Sequence, residues 1–243
     1  MTDSRGVIKL EEPPKAEYKE TVIQKAKRKV TSTIIGAAAI KNSYEKIAKL
    51  GESDLYSIYT VKESTTEKIA VAKCLETSEP AVNLEFVRKA NQHATLLHSN
   101  IIRSVGCLDT SLGRPYFIMD NLTGITLDSL LDSIGRIESP KDFYDIISQI
   151  LNAVEYCHNK NIQHGSLRPS NIFLLETEGQ VVVKVLDFDM WSVRQMYQEV
   201  TGTDSTGERA LYMSPEQFTH TDPTPQTDIY QLGTLCLKML TGK

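Results

Sequence analysis

The spacing of apolar residues divides the chain into a strand-rich part and a helix-rich part. Short apolar or alternating runs predict strands at 44–50, 55–61, 68–75, 101–107, 115–120 and 181–186. Helices are predicted at 80–97, 142–159 and 226–240. Because most of the strands precede most of the helices, the order indicates an α+β fold of two lobes.

The helix predicted at 142–159 has the clearest pattern. Its apolar residues recur at spacings of three and four, which is typical of a helix that packs one face against a core. These residues are Phe143, Ile146, Ile147, Ile150, Leu151, Val154 and Cys157.

Residues 1–43 differ from the rest of the chain. Residues 1–14 are polar and end in two prolines, which predicts disorder. Residues 15–30 carry an apolar residue at every fourth position and six basic against two acidic residues, which predicts a basic helix. This helix either packs one stripe against the main domain or docks on an acidic partner or an anionic lipid.

Composition narrows the class of protein. The 243 residues are 40% hydrophobic and 24% charged, which suits one globular unit with a real core. The formal net charge of -4 argues against a nucleic-acid binder. The four cysteines are far apart, which disfavours a disulfide framework or a zinc site. We find no signal peptide and no transmembrane segment, and we expect a cytoplasmic protein.

Two motifs carry the candidate chemistry. The sequence HGSLRPSN at 164–171, followed by DFD at 187–189, resembles the catalytic loop and the metal-binding turn of the protein kinase family, particularly Ser/Thr kinases of bacterial type. The resemblance covers residues 44–243. It implies a kinase-like first lobe and hinge at 44–122, and a second lobe at 123–243 that stops before the family's last helices.

The resemblance also implies impaired catalysis. Ser166 stands where the family carries the Asp that accepts the proton of the substrate hydroxyl, and Arg168 stands where a lysine neutralises the transferred phosphate. Asn171 and Asp187 match the two metal-binding positions, and a carboxylate with an amide oxygen suits Mg²⁺. Asp189 replaces the glycine that closes the metal-binding turn.

The expected phosphate site is altered as well. Gly51 is the one glycine left in the phosphate loop, and Tyr56 at another glycine position either projects into the phosphate space or folds outward. Lys73 matches the lysine that holds the α- and β-phosphates. Its usual glutamate partner is replaced by Lys89, and Glu85, one helical turn earlier, is an alternative partner.

The remaining expected site residues would surround adenine. Met119 would lie beside the adenine pocket, and Asp120 and Leu122 would offer backbone groups. The other expected contacts are Leu50, Gly51, Ile58, Val71 and Phe173. Since Val71 and Phe173 are larger than the residues usual in the family, the slot is expected to be narrow. We therefore expect ATP with Mg²⁺ to bind weakly or not at all.

Three functions are consistent with these residues. The first is a pseudokinase, a regulatory or protein-binding module with a protein partner. The second is a divergent ATP-dependent Ser/Thr protein kinase of low activity, because Lys73, Asn171 and Asp187 are retained. The third is a truncated remnant without a function of its own.

Overall fold

The computed structural model describes residues 39–40, 44–108, 114–188, 190–203 and 207–243. Six antiparallel strands form the sheet of the first lobe in the spatial order β1-β2-β3-β4-β6-β5. They are β1 (Ala39–Ile40), β2 (Tyr44–Glu52), β3 (Tyr56–Glu63), β4 (Ile69–Leu75), β5 (Ser104–Leu108) and β6 (Tyr116–Asp120). The predicted basic helix at 15–30 lies outside the described residues.

Helix α1 (Pro80–His93) packs against this sheet. Val82 and Phe86 are fully buried in the core between the helix and the sheet. The predicted helix at 80–97 was four residues too long. After His93 the backbone bonds span three residues, from Thr95 N–H to Gln92 and from Leu96 N–H to His93, so the chain turns away.

The second lobe contains most of the helices and a small antiparallel sheet in the order β7-β8-β9. Its strands are β7 (Gly124–Thr126), β8 (Ile172–Thr177) and β9 (Gln180–Val185). The helices after α1 are α2 (Leu127–Ile134), α3 (Pro140–His158), α4 (Trp191–Thr201) and α5 (Pro225–Thr241). The sequence predicted β9, α3 and α5, whereas β7, β8, α2 and α4 were missed.

Local chemistry sets several helix ends. The Thr126 hydroxyl accepts a hydrogen bond from Ser129 N–H at the start of α2, and Ser139 does the same for Asp142 N–H at the start of α3. Helix α4 ends at Gly202, whose φ of 67° is the left-handed conformation that glycine adopts most readily.

The buried face of α3 is the centre of the second lobe. Ile150 and Cys157 are fully buried there, together with the side chains of α5 and of the small sheet. Leu151 was expected on the same stripe but is 45% exposed. It follows Ile150 directly, and one residue corresponds to about 100° of helix rotation, which carries Leu151 off the buried face.

The structure therefore has the expected α+β, two-lobed architecture, with an antiparallel sheet in the first lobe and a helical second lobe. Helix α4 links the lobes, because Met190 just before it and Val193 within it are buried in the core of the first lobe.

Gly124 provides a test of the small sheet. A Cβ at this position would lie 2.1 Å from the Leu174 carbonyl oxygen, which belongs to the backbone of the neighbouring strand. We expect Gly124→Ala to lower the free energy of unfolding by about 2 kcal/mol or more, because β7 must move away from β8. Urea denaturation measures this change.

Gly233 in α5 is the matched control, since a Cβ there meets no atom within 4 Å. Gly233→Ala should leave stability unchanged or raise it by up to about 1 kcal/mol, because alanine favours the helix. Equal effects of the two substitutions would contradict the close packing of β7 on β8.

Candidate nucleotide and catalytic site

Lys73 and Asp187 form an ion pair where the two lobes meet. Lys73 lies on β4 opposite Phe117 of β6, and Asp187 lies in the turn that follows β9. The Lys73 Nζ is 2.6 Å from Asp187 Oδ2. Burial lowers the pKa of Lys73, and Asp187 opposes this shift. Burial also disfavours the Asp187 carboxylate, but Lys73 outweighs it and the pKa of Asp187 is lowered, so Asp187 is ionised at neutral pH.

Glu85 does not take the place of the glutamate that the family pairs with this lysine. Its carboxylate accepts hydrogen bonds from Arg88 at 2.8 Å and from the Ser192 hydroxyl at 2.5 Å. Lys89, at the position of the family's glutamate, is buried on α1 with its Nζ 4.0 Å from Glu85 Oε1. Lys73 therefore forms its ion pair with Asp187 and not with a carboxylate on α1.

Tyr56 turns inward from the phosphate loop. Its ring centroid lies 4.1 Å from Lys73 Nζ and 5.8 Å from the ring of Phe86 on α1. The sequence left open whether Tyr56 projects into the phosphate space or folds outward. In the structure its side chain turns inward, and the ring lies over Lys73, the lysine expected to hold phosphates. Gly51 and Ser53 lie in or just after β2, and Ser53 closes the turn by accepting a hydrogen bond from Tyr56 N–H at 3.1 Å.

The expected adenine wall is divided between the lobes. Val71 and Met119 are neighbours across β4 and β6, and Val71 and Leu122 pack against the core of the first lobe.

The other expected adenine contacts differ in their surroundings. Leu50 is 44% exposed, and Ile58 is half-buried on β3 opposite Lys73. The Asp120 N–H donates a hydrogen bond to the Arg103 carbonyl at 3.0 Å, and Phe173 lies on β8 of the second lobe. These assignments to adenine stay predictions.

The catalytic loop is held in place by α5. Asp228 accepts hydrogen bonds from the backbone N–H groups of His164 and Gly165, at 2.9 and 2.8 Å. Gln231 accepts from Leu167 N–H at 2.7 Å. The backbone at 164, 165 and 167 is thus bonded to α5 even though Ser166 occupies the position of the catalytic base.

Gly165 is confined by its neighbours. Its φ is 68°, and a Cβ would lie 2.8 Å from Pro223 and 3.2 Å from Trp191. Its carbonyl oxygen accepts a hydrogen bond from Gln217 at 2.8 Å. Position 165 is therefore enclosed by the residues around it.

Asn171 and Asp187 fit a metal ion only in part. The Asn171 amide nitrogen donates to the Ser166 carbonyl at 2.8 Å, so its amide oxygen is the group suited to Mg²⁺. The Asp187 carboxylate is bound to Lys73. Within the described residues, no group of three or more His, Cys, Asp or Glu side chains could hold a metal by itself. Nucleotide phosphates would have to complete the site.

Three arginines lie close together at the edge of this site. They are Arg168 in the catalytic loop, Arg194 on α4 and Arg209 in the 3-10 helix Gly207–Leu211. Burial, together with the charges of Arg194 and Arg168, lowers the pKa of Arg209 to about 10. The cluster supplies positive charge beside the catalytic loop.

Sequence reasoning missed helix α4 and its contacts. Apolar residues at 193, 196, 197 and 200 followed by Gly202 are a signal that could have found it. Asp189, expected in the metal-binding turn, lies outside the described residues.

The comparisons with known proteins agree with this geometry. Residues 44–243 match the family model for the protein kinase domain. The chain is 27% identical over 211 residues to the serine/threonine-protein kinase PknB of Mycobacterium tuberculosis, covering 84% of this chain and 33% of PknB. It is 28% identical over 208 residues to PrkC of Bacillus subtilis, covering 84% of this chain and 31% of PrkC. The chain thus spans about a third of the length of these relatives.

Solved structures show the same fold. The kinase domain of Mycobacterium tuberculosis PknI superposes with a TM-score of 0.65 at 20% identity, covering 86% of this chain and 76% of PknI's. The chain belongs to the protein kinase family, and its relatives are Ser/Thr kinases. Among the described residues, no helix combines the length and the apolar character needed to cross a membrane.

Two buried histidines lie near Asp187. The Nδ1 of His93 on α1 and the Ser104 hydroxyl share a hydrogen bond of 3.1 Å, and the His93 Nε2 has no hydrogen-bond partner among the residues that the structure describes. The His164 ring lies 4.6 Å from the ring of Phe188. The pKa of His93 is lowered to about 4, chiefly by burial and also by His164 and Lys73, which together outweigh the opposing effect of Asp187. Burial lowers the pKa of His164 as well.

Acid should destabilise the fold through His93. Its pKa is lowered in the folded state, so the unfolded chain binds more protons between about pH 6.5 and pH 4. Stability is therefore lost as the pH falls through this window, by about 3 kcal/mol at its lower end. Urea denaturation of the wild type and of His93→Leu at several pH values checks this, because the variant should lose most of this slope. An identical slope in both proteins would assign the effect to other groups.

Proposed function

We propose that this chain is a kinase-like regulatory or protein-binding domain that transfers phosphoryl groups poorly or not at all. One observation carries the proposal. Residues 164–171 are all described and contain no carboxylate, and Ser166 stands at the position of the catalytic base. A serine hydroxyl does not accept a proton at neutral pH without an activating base. Loss of a general base typically slows a reaction about 10²–10⁴-fold.

Weak nucleotide binding is the second part of the proposal. The residues expected to hold phosphate and metal, Lys73 and Asp187, are bound to each other, and the Tyr56 ring lies over the lysine. ATP with Mg²⁺ would have to separate the ion pair and displace the ring. These costs support weak binding, with Lys73 on the phosphates and with Asn171 and Asp187 on the metal once the site has opened.

A low-activity Ser/Thr kinase is the alternative function. Lys73, Asn171 and Asp187 are retained, and the arginine cluster could neutralise phosphate charge. The relatives in Mycobacterium tuberculosis and Bacillus subtilis are named serine/threonine-protein kinases. A non-functional remnant is less well supported, because both lobes have contiguous buried cores.

A protein partner and a cytoplasmic location complete the proposal. Protein partners are plausible for a kinase-like domain whose own chemistry is weakened. The formal net charge of -4 disfavours nucleic acid as that partner.

An ATP titration tests nucleotide binding. We expect about 1 mM ATP with Mg²⁺ to raise the Tm by less than about 2 °C, because a millimolar Kd gives little stabilisation. Differential scanning fluorimetry measures the shift, with Lys73→Met as the control for binding at this site. A large shift that Lys73→Met abolishes would refute weak binding. Phosphotransfer by the wild type that is lost in Asp187→Ala would favour the alternative function.

Restoring the missing carboxylate alone should not restore the enzyme. We expect Ser166→Asp to transfer no measurable phosphate from radiolabelled ATP to a generic protein substrate, because Lys89 and the Lys73–Asp187 ion pair are unchanged. Robust phosphorylation by this single variant would show that the site is otherwise competent.

A further inference from the structure

A cavity of about 360 Å³ lies where the connection between α1 and β5 meets the ends of β6 and β9. Of the residues expected around the nucleotide, it contains only Asp120, so it is a separate site. Its walls combine apolar and charged side chains. Leu96, Leu97 and Ile101 supply the apolar surface, and Arg103, Asp120 and Lys184 supply the charges.

The apolar wall of the cavity is held in place by hydrogen bonds. The Leu97 N–H donates to the Tyr156 hydroxyl on α3 at 3.1 Å, and the Ile101 N–H donates to the His98 carbonyl at 3.1 Å. The ring centroids of His98 and Tyr156 are 5.0 Å apart. Leu97 is nevertheless 71% exposed, so apolar surface that a ligand can cover is left in water. A wall that is already fixed loses little conformational entropy on binding.

Two cations of the cavity are not neutralised by a neighbour. Arg103 is exposed, and the Lys184 Nζ donates to the Ser99 carbonyl, an uncharged acceptor, at 2.6 Å. Neither forms an ion pair with a residue that the structure describes. The Asp120 carboxylate is paired with Lys68, with Nζ and Oδ1 3.4 Å apart. The cavity therefore has an excess of positive charge.

The surroundings of Lys184 favour a further anion. Burial lowers the pKa of Lys184, and the charge of Asp120 only opposes this shift. A second carboxylate beside the ammonium group would stabilise its charged form. The cavity thus offers an apolar surface between two positions that attract negative charge.

The number of cations selects the kind of ligand. Anionic lipid surfaces are recognised by clusters of about four to eight basic residues, and nucleic acids by basic residues that neutralise many phosphates. Two cations are too few for either, and the formal net charge of -4 adds repulsion at long range. A short acidic peptide needs only two such positions and an apolar surface beside them.

We propose that this cavity, which we call the acidic-peptide site, binds an acidic segment of a partner protein. An apolar side chain of the segment covers Leu97 and Ile101, and its carboxylates lie beside Arg103 and Lys184. The inference deepens the protein-binding part of the proposed function and rests on it. It does not depend on the loss of phosphoryl transfer, because the residues expected to carry that chemistry lie outside the cavity.

Selection from a phage-displayed library of random peptides on the purified chain tests the acidic-peptide site. We expect the selected peptides to combine Asp or Glu with a leucine, isoleucine or phenylalanine. The most enriched peptide is then synthesised, labelled and titrated by fluorescence anisotropy. Arg103→Gln and Lys184→Gln should each weaken its binding about threefold to fivefold, because each removes one exposed ion pair with the peptide. The double variant should weaken binding about tenfold or more.

The matched control is Arg136→Gln. Arg136 is also an exposed arginine, but it pairs with Glu138 in the connection between α2 and α3. This variant should bind the peptide as the wild type does. A second control is the same peptide with glutamine and asparagine in place of its acidic residues, which should bind about tenfold more weakly. If Lys184→Gln folds poorly, Arg103→Gln decides, because Arg103 is exposed and its loss leaves no carboxylate without a partner.

Several results would overturn the acidic-peptide site. A selection that enriches no peptide, or only peptides without acidic residues, would do so. Unchanged affinity in the double variant would place the peptide elsewhere on the chain. Binding to phosphatidylserine vesicles, or self-association in sedimentation, that the double variant loses while no acidic peptide is selected would assign the cavity to a lipid or to a second copy.

The outcomes also separate this inference from the proposed impairment of catalysis. ATP titrations of Arg103→Gln should match those of the wild type, because Arg103 is not among the residues expected to hold the nucleotide. Robust phosphotransfer by the wild type would refute the impairment and leave the acidic-peptide site standing. Failure of the peptide experiment with no measurable phosphotransfer would refute the site alone.

Discussion

The ion pair of Lys73 with Asp187 connects the two lobes through charges that neither lobe can leave unpaired. Removing one partner of a buried pair leaves an uncompensated charge, which is far more costly than the pair itself. The pair therefore fixes the turn after β9 against β4. Helix α1 offers no competing carboxylate, because Glu85 bonds to Arg88 and Ser192.

The scaffold around the catalytic loop has been kept independently of its chemistry. Asp228 and Gln231 bind the loop backbone through its N–H groups, and these bonds do not depend on which side chain stands at position 166. Such a loop can lose its proton acceptor without losing its shape. The same separation lets the chain share a fold with relatives named serine/threonine-protein kinases although position 166 carries no carboxylate.

Much of the architecture could be predicted from the sequence, because the spacing of apolar residues predicted α3, α5 and most strands of the first lobe. The motifs also placed Lys73, Asn171 and Asp187 in one site. The pairing of Lys73 with Asp187 could not be predicted, since it joins residues 114 positions apart and depends on where Glu85 turns. Helix α4 was missed because its apolar stripe is short and packs on the other lobe. Leu151 shows the same limit, because spacing gives a helical face only to within one residue.

The packing around Gly165 restricts which residues this position can carry. Pro223 and Trp191 have closed around the space that a side chain at this position would need. Any larger side chain at position 165 would meet both of them on a backbone with positive φ, so this glycine can be exchanged only together with one of its neighbours.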